Sequence, residues 1–184
     1  FPQAKKLTPY AGMMDLLKKL DASSPKASLA IIGRTVQGRD IPALFLSSAT
    51  FAARRDQKPV VLLFCQQHGN EPSGKEAALI LAANLLGRDK KILEQLDLIL
   101  VPCLNPDGSE LRQRRNGNDR DLNRNHALLS EPETLALHRL FQQWFPEVAL
   151  DVHEYGAVSQ WWVGQGMIKN ADEMLGFLSN LNID

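Results

Sequence analysis

Three short apolar runs constrain the possible folds of this chain more than any other feature. They cover residues 60–64, 98–101 and 148–150. Each is too short for a buried helix and lacks the polar alternation of a strand with one exposed face, so each is typical of a strand covered on both faces. Helical segments lie between them, at 73–86 and 131–144. This order predicts an α/β domain with a mixed, mostly parallel sheet that is flanked by helices on both faces.

The remaining predicted elements precede and connect these strands. Residues 8–20 form a helix, because apolar residues recur at helical spacing after a capping threonine. Two strands, 28–33 and 40–47, flank a tight turn. Residues 105–125 are a long polar loop, and loops of this length are usually functional when they have no structure of their own. The chain has no internal repeat or linker, so we expect a single domain over residues 1–184.

The composition argues against several classes of partner. Lys and Arg together number 21, and so do Asp and Glu, which gives a net charge of zero. We therefore expect no binding to nucleic acid and no attraction to an anionic membrane surface. No apolar stretch approaches the roughly 20 residues that span a bilayer. The first residue is Phe1 rather than Met, so the compartment stays open, and we favour the periplasm or secretion over the cytoplasm.

The two cysteines, Cys65 and Cys103, each lie near the end of an apolar run. Free Cys is among the most buried residue types, so we predict two buried thiols. A disulfide between them stays open, because it requires that their strands be neighbours. Neither cysteine belongs to a CxxC pair, which argues against a cysteine metal site.

Polar side chains follow the ends of the predicted strands. His68, Asn105 and His153 each lie just beyond the end of an apolar run. In open α/β sheets, ligands bind at the carboxyl ends of the strands. We therefore expect these three positions to share one rim of the sheet, and we predict the functional site there.

The segment from His68 to Glu71 and the later His153 predict a metal site. Zn²⁺ binds imidazole nitrogen and carboxylate oxygen, and catalytic zinc sites use three protein ligands and leave one position open for water. Asp151 lies on the same face of its strand as His153, so it is either a supporting group or an alternative third ligand. His138 falls within a predicted helix and is interpreted as structural.

Several arginines lie in the long polar loop, among them those at positions 112, 114, 115 and 124. One interpretation is a solvated basic loop. The other is a site for an anionic substrate, because the guanidinium group binds a carboxylate through two parallel hydrogen bonds.

Four motifs together resemble the zinc carboxypeptidases of the carboxypeptidase A type, peptidase family M14. They are HGNE at 68–71, NPDG at 105–108, DLNRN at 121–125 and DxHE at 151–154. The resemblance covers roughly residues 60–156 and keeps the order of the family's motifs. It implies a mixed eight-stranded sheet flanked by helices and one zinc ion.

The resemblance also implies the metal ligands and the group that supports them. His68, Glu71 and His153 match the zinc ligands of the family. Asp121 matches the carboxylate that orients the first zinc histidine.

Substrate contacts are implied in the same way. Asn123 and Arg124 match the pair that holds the terminal carboxylate of the substrate. Arg115 best matches the arginine that polarises the scissile carbonyl group, and Arg114 is the alternative. Tyr155, which closely follows the third ligand, is a further candidate for substrate contact.

One family feature has no counterpart in this sequence. The general base of the family is a Glu well beyond the third ligand, and the spacing of Glu173 does not match that position. We therefore expect the chain to be the N-terminal part of a zinc carboxypeptidase-like catalytic domain and to catalyse little alone.

These features predict a zinc-dependent metallocarboxypeptidase, which hydrolyses the C-terminal peptide bond of peptides by a metal-activated water. Its partner would be a peptide with a free C-terminal carboxylate. One alternative is a deacylase of N-acyl amino acids that resembles aspartoacylase and succinylglutamate desuccinylase. Another is a non-catalytic relative that binds carboxylates. The oligomeric state and the side-chain preference stay open.

Overall fold

The computed structural model describes residues 7–48, 51 and 58–154. The α-helices are α1 Tyr10–Ser23, α2 Ser73–Leu86, α3 Pro106–Leu111 and α4 Pro132–Trp144. The strands are β1 Ala27–Arg34, β2 Asp40–Leu46, β3 Val60–Cys65, β4 Asp97–Val101 and β5 Val148–Val152. Two short 3₁₀ helices cover Lys90–Glu94 and Leu122–Arg124.

The described strands form one five-stranded sheet in the order β1-β2-β4-β3-β5. β1 pairs with β2 and β2 with β4 in antiparallel fashion, whereas β3 is parallel to both β4 and β5. The predicted mixed α/β class is confirmed. Two pairs are antiparallel and two are parallel within the described part. The tight turn between β1 and β2 accounts for the first antiparallel pair.

Helices cover both faces of the sheet, as predicted. One core layer contains residues of α1 and α2 packed with Leu46 and Leu100. The other contains residues of α4 packed with Leu62 and Ile99. Neighbouring residues on β4, Ile99 and Leu100, belong to opposite layers because successive side chains of a strand point to opposite faces.

Two predictions about individual segments need correction. The polar stretch 105–125 contains α3 and a 3₁₀ helix, because the Asn105 side chain accepts a hydrogen bond from the backbone N–H of Gly108 and Pro106 suits the first turn. β5 was predicted to be buried, but Leu150 is 47% exposed. In the described part of the chain, β5 is an edge strand that pairs only with β3.

Other boundaries agree closely with the sequence-based prediction. α2 begins and ends at the predicted residues, Ser73 and Leu86. α1 begins two residues later than predicted, at Tyr10, because Pro9 occupies the position before the helix, and it continues to Ser23. No helix among the described residues combines the length and apolarity that crossing a bilayer requires.

Both cysteines are buried free thiols, as predicted. Cys65 ends β3 and Cys103 follows the neighbouring β4. Burial raises the pKa of each thiol to about 12. These thiols are therefore protonated at neutral pH, which makes them poor nucleophiles.

Candidate metal centre

The loop after β3 delivers the first candidate ligand. Gln66 adopts a left-handed conformation, with φ of 52°, and turns the chain away from the strand. The following backbone packs against the start of α3, where Gly69 and Gly108 are in close contact. Gly69 N–H also donates a hydrogen bond to Arg114 O, at 3.3 Å. His68 is 2% exposed as a result of this packing.

Parallel pairing delivers the second histidine to the same rim. Cys65 at the end of β3 is the register partner of Val152 on β5. His153 is therefore the first residue after the last paired residue of β5, and it lies level with the loop that carries His68. The two imidazole ring centroids lie 4.8 Å apart.

Three side chains converge at this rim. His68 Nδ1 lies 2.8 Å from Glu71 Oε1, and His153 Nδ1 lies 3.0 Å from Glu71 Oε2. One potential ligand atom from each residue lies within 4.8 Å of the other two. The structure thus brings together two imidazoles and one carboxylate, the three residues that the sequence predicted as metal ligands.

A carboxylate also faces the opposite edge of each imidazole. Asp121 Oδ1 lies 3.1 Å from His68 Nε2, and Asp151 Oδ2 lies 2.9 Å from His153 Nε2. Asp151 therefore contacts the edge of the His153 ring that faces away from Glu71. Of the two roles that the sequence left open for Asp151, this position corresponds to a group that supports the ligand rather than to a third ligand.

The donor chemistry of the cluster fits a cation. Ionised carboxylates accept hydrogen bonds but cannot donate them. If Asp121 and Asp151 accept the Nε2 hydrogens of the two rings, each neutral ring has only a lone pair at Nδ1 to offer towards Glu71. These three groups would hold a divalent ion, which would satisfy both lone pairs and the carboxylate, and this ligand set suits zinc.

The pKa values of the cluster follow from the same contacts. Burial alone would raise the pKa of Glu71, but the hydrogen bond from the backbone N–H of Glu154 and the close approach of His153 lower it below the usual value. The pKa of His153 is raised, mainly by its hydrogen bond to Asp151. Negative charge is therefore concentrated around the imidazoles, which favours a bound cation.

The two candidate arginines differ in position. Arg114 Nε lies 3.0 Å from Asp121 Oδ2, and Arg114 Nη1 lies 3.5 Å from Glu71 Oε1. Arg115 Nη1 instead lies 3.0 Å from Asp119 Oδ2, and that aspartate is 81% exposed. The structure thus places Arg114 at the cluster, whereas Arg115 pairs with a surface carboxylate.

The remaining predicted substrate contacts are only partly described. Asn123 Nδ2 lies 3.4 Å from His153 Nε2, so this amide borders the cluster. The Arg124 side chain is exposed, and its Nη1 donates to the backbone O of Asn123 at 2.9 Å. Tyr155 lies outside the described residues.

Sequence reasoning missed the residue that anchors the arginine-bearing loop. Asn116 is completely buried, and its Nδ2 donates to Glu131 Oε2 at 2.8 Å and to Glu133 Oε2 at 3.0 Å. Its Oδ1 accepts from the backbone N–H groups of residues 118 and 120. This network fixes the turn between Arg114 and Asp121. The Asn-Gly pair at 116–117 was its one visible signal, and that pair indicates only a turn.

Comparison with known proteins points to one family. The family model described as zinc carboxypeptidase, Peptidase_M14, matches residues 13–173. Carboxypeptidase 2 of Trichophyton rubrum is 31% identical over 156 residues, which make up 82% of this chain and 29% of that protein. Carboxypeptidase D of Drosophila melanogaster is 36% identical over 109 residues, or 55% of this chain and 8% of that protein. The chain therefore spans less than a third of the length of these relatives.

Solved structures show the same likeness. A metallo-carboxypeptidase from Burkholderia cenocepacia matches 80% of this chain and 42% of its own, with a TM-score of 0.71 and 25% identity. The carboxypeptidase A from Helicoverpa armigera matches 83% of this chain and 47% of its own, with a TM-score of 0.71 and 23% identity. The second match is a likeness of fold.

Proposed function

Because the chain belongs to the zinc carboxypeptidase family, we propose that it forms part of a metallocarboxypeptidase that removes the C-terminal residue of peptides. The convergence of His68, Glu71 and His153 at one rim of the sheet is the observation that supports this function most strongly. We propose that these three side chains hold one Zn²⁺. When bound, zinc acidifies a water molecule and polarises the carbonyl group of the substrate.

The protein's own side chains prepare the ligands. Asp121 and Asp151 accept the Nε2 hydrogens of the two histidines, which directs the Nδ1 lone pairs towards Glu71. This arrangement fixes the tautomer of each ring before a metal binds. We therefore propose that both aspartates increase the affinity of the site for zinc.

We assign the role of polarising the scissile carbonyl group to Arg114 in preference to Arg115. Arg114 already lies 3.5 Å from the candidate ligand Glu71, whereas Arg115 is engaged with Asp119. A guanidinium group at this position can stabilise the negative charge that develops on a carbonyl oxygen. The sequence favoured Arg115 and kept Arg114 as an alternative.

We propose that Asn123 and Arg124 bind the terminal carboxylate of the peptide. Asn123 borders the cluster, and the adjacent Arg124 has an exposed guanidinium group. Charge-assisted pairing of Arg with carboxylate would select a free C-terminus. Tyr155 remains a proposed substrate contact from the sequence alone.

The described residues suggest no general base. Glu71, Asp121 and Asp151 contact the histidines, and Glu154 Oε2 accepts a hydrogen bond from the backbone N–H of Ser73. We therefore propose that the residue that takes the proton from water lies outside the described part of the protein. We also propose that residues 1–184 belong to a single catalytic domain and that the protein is exported from the cytoplasm.

The deacylase alternative has less support. The named relatives are carboxypeptidases. Both kinds of substrate carry a free carboxylate, so they differ in the group that precedes the scissile bond, which is a peptide for a carboxypeptidase and an acyl group for a deacylase.

Ligand binding by the zinc-loaded chain tests the proposal. An N-blocked tripeptide with a free C-terminus should bind, its C-terminal amide should bind at least tenfold more weakly, and Arg124→Gln should abolish the difference. Arg139→Gln, an exposed arginine on α4, is the matched control. Equal binding of acid and amide would contradict the proposal, and preference for N-acetyl-aspartate would favour the deacylase. Because we expect the chain to catalyse little alone, release of the terminal amino acid by the whole enzyme of which we propose that it forms part, followed by mass spectrometry, separates a peptidase from a non-catalytic binder.

A further inference from the structure

A series of polar side chains in mutual contact leads from Asp151, the neighbour of His153, to Gln67, His126 and His138. Gln67, which is completely buried, donates from Nε2 to Asp151 Oδ2. Its Oε1 lies 3.1 Å from His126 Nε2. His126 Nδ1 in turn lies 3.1 Å from His138 Nε2. The zinc carboxypeptidase motifs that the sequence revealed assign no role to Gln67, His126 or His138.

The donor and acceptor chemistry of these groups fixes the direction of each hydrogen bond between them. The Asp151 carboxylate only accepts, so the amide nitrogen of Gln67 must face it and the amide oxygen must face His126. His126 therefore has its hydrogen on Nε2. Its Nδ1 is then an acceptor, so His138 donates to it from Nε2.

The environment of His126 supports this arrangement. Burial lowers the pKa of His126, and the charge of neighbouring His138 lowers it further, whereas Asp151 acts in the opposite direction. A neutral His126 has one donor and one acceptor, which is what its two neighbours require. Each hydrogen bond in the series thus points towards Asp151.

At the other end, Asp151 contacts the third candidate ligand. Its Oδ2 lies 2.9 Å from His153 Nε2. Gln67 Nε2 and His153 Nε2 both contact this one oxygen, and they lie 3.2 Å from each other. Its side chain is 32% exposed, compared with 20% for Asp121, which contacts His68 in the same way. Asp121 is also held by Arg114, whereas the described partners of Asp151 are Gln67 and His153.

We propose that Gln67 is a positioning residue, whose amide holds Asp151 in place against His153. By fixing the carboxylate, Gln67 keeps the His153 hydrogen on Nε2 and the Nδ1 lone pair directed towards Glu71. His126 acts through Gln67, since its Nε2–H sets the orientation of the amide. This inference rests on the proposed zinc site and adds two residues to those that determine its affinity.

Zinc affinity of the whole chain, measured by competition with a chelator, tests the proposal. Gln67→Met keeps the length of the side chain but removes the amide, and it should weaken zinc binding by about 10–100-fold, as is typical when a partner of a ligand is lost. His126→Phe should weaken binding by about fivefold, the effect of one hydrogen bond. Gln142→Met, at an exposed position on α4, is the control and should leave the affinity unchanged.

Two further readouts separate positioning from general stability. The double variant Gln67→Met/His126→Phe should bind zinc as Gln67→Met does, within about twofold, because His126 acts only through Gln67. In addition, the visible absorption bands of the Co²⁺-loaded chain should shift in Gln67→Met and stay unchanged in Gln142→Met. A merely structural role would lower the melting temperature of the metal-free chain without changing the metal affinity or the cobalt spectrum.

The outcomes distinguish this proposal from the proposed function. If the wild-type chain binds zinc and both single variants bind it equally well, the positioning role is wrong and the zinc site stands. If Gln67→Met fails to fold, His126→Phe alone decides, and unchanged affinity in that variant overturns the proposal. A wild-type chain that binds no zinc would overturn the site itself and this inference with it.

Discussion

Gly69 and Gly108 lie backbone to backbone, so closely that a Cβ atom added at Gly69 would stand 2.0 Å from the carbonyl carbon of Gly108. This contact joins the HGNE loop, which carries His68 and Glu71, to the start of α3. The two motifs are therefore packed together as one unit. This close approach requires a glycine at position 69, whereas a Cβ atom at Gly108 would instead stand 2.6 Å from Arg115 O. The φ angle of neither glycine is positive, so close contact rather than backbone conformation accounts for both.

Gly69→Ala should accordingly destabilise the chain. The Cβ would meet rigid backbone atoms, and relief of such overpacking costs about 3 kcal/mol or more. Gly12→Ala is a matched control within α1, where the Cβ would make ordinary contacts at 3.4 Å and longer. That change should stabilise the chain by about 0.5–1 kcal/mol, because Ala is the better helix former. Urea unfolding of both variants measures the difference, and equal stability would refute the packing argument.

Asp121→Asn should weaken zinc binding by about 10–100-fold. The amide keeps the shape of the side chain but removes the negative charge that faces His68 Nε2 at 3.1 Å. Asp15→Asn, at an exposed position on α1, removes the same charge far from the cluster and should have no effect. Chelator competition gives both affinities. Unchanged binding in Asp121→Asn would show that this carboxylate does not support the first histidine.

Arg114→Gln should raise the pKa of Asp121. Burial raises this pKa, but the hydrogen bonds from Arg114 and His68 outweigh burial and lower it below the usual value. Removal of the guanidinium group leaves the effect of burial less opposed. Carbon-detected NMR titration of the Asp121 carboxylate in the metal-free chain measures the change. Arg115→Gln is the matched control, and an equal shift in both variants would contradict the separate placement of the two arginines.

Glu133→Gln should change how stability depends on pH. Burial raises the pKa of Glu133. Its contribution to stability is therefore fully present below about pH 4.3, the usual pKa of glutamate, and is lost as pH rises through the higher pKa of the folded state. The glutamine variant has no such loss. The stability of wild type relative to Glu133→Gln should thus fall as the pH rises from about pH 4 through the raised pKa of the folded state.

Urea unfolding at several pH values tests this expectation. Glu94→Gln, at an exposed position, controls for the loss of one negative charge. If the stability of wild type relative to Glu133→Gln rose with pH, burial would not dominate the environment of Glu133.

Much of the fold could be predicted from local pattern. The apolar runs of β3, β4 and β5 and the alanine- and leucine-rich segment of α2 each carry a periodicity that reports directly on structure. The exposure of β5 could not be predicted in this way. Burial of a strand depends on its neighbours, and an apolar run such as Val148–Leu150 indicates only that it is suited to being covered.

The motif residues predicted as metal ligands lie close together in the structure, whereas residues that act across loops could not be predicted. The sequence brought His68, Glu71 and His153 together as candidates, because they follow strands that end on one rim. It favoured Arg115 and kept Arg114 as the alternative, whereas the structure places Arg114 nearer Glu71. Adjacent residues share the same sequence context, and only the turn held by the buried Asn116 determines which side chain faces Glu71.

Zinc stoichiometry after dialysis, measured by mass spectrometry of the metal, tests the central claim most directly. We predict that the wild-type chain binds one Zn²⁺ and that His68→Ala, Glu71→Gln and His153→Ala each lose it, whereas Glu94→Gln retains it. A wild-type chain without zinc, or three ligand variants that retain as much zinc as the wild type, would contradict the account.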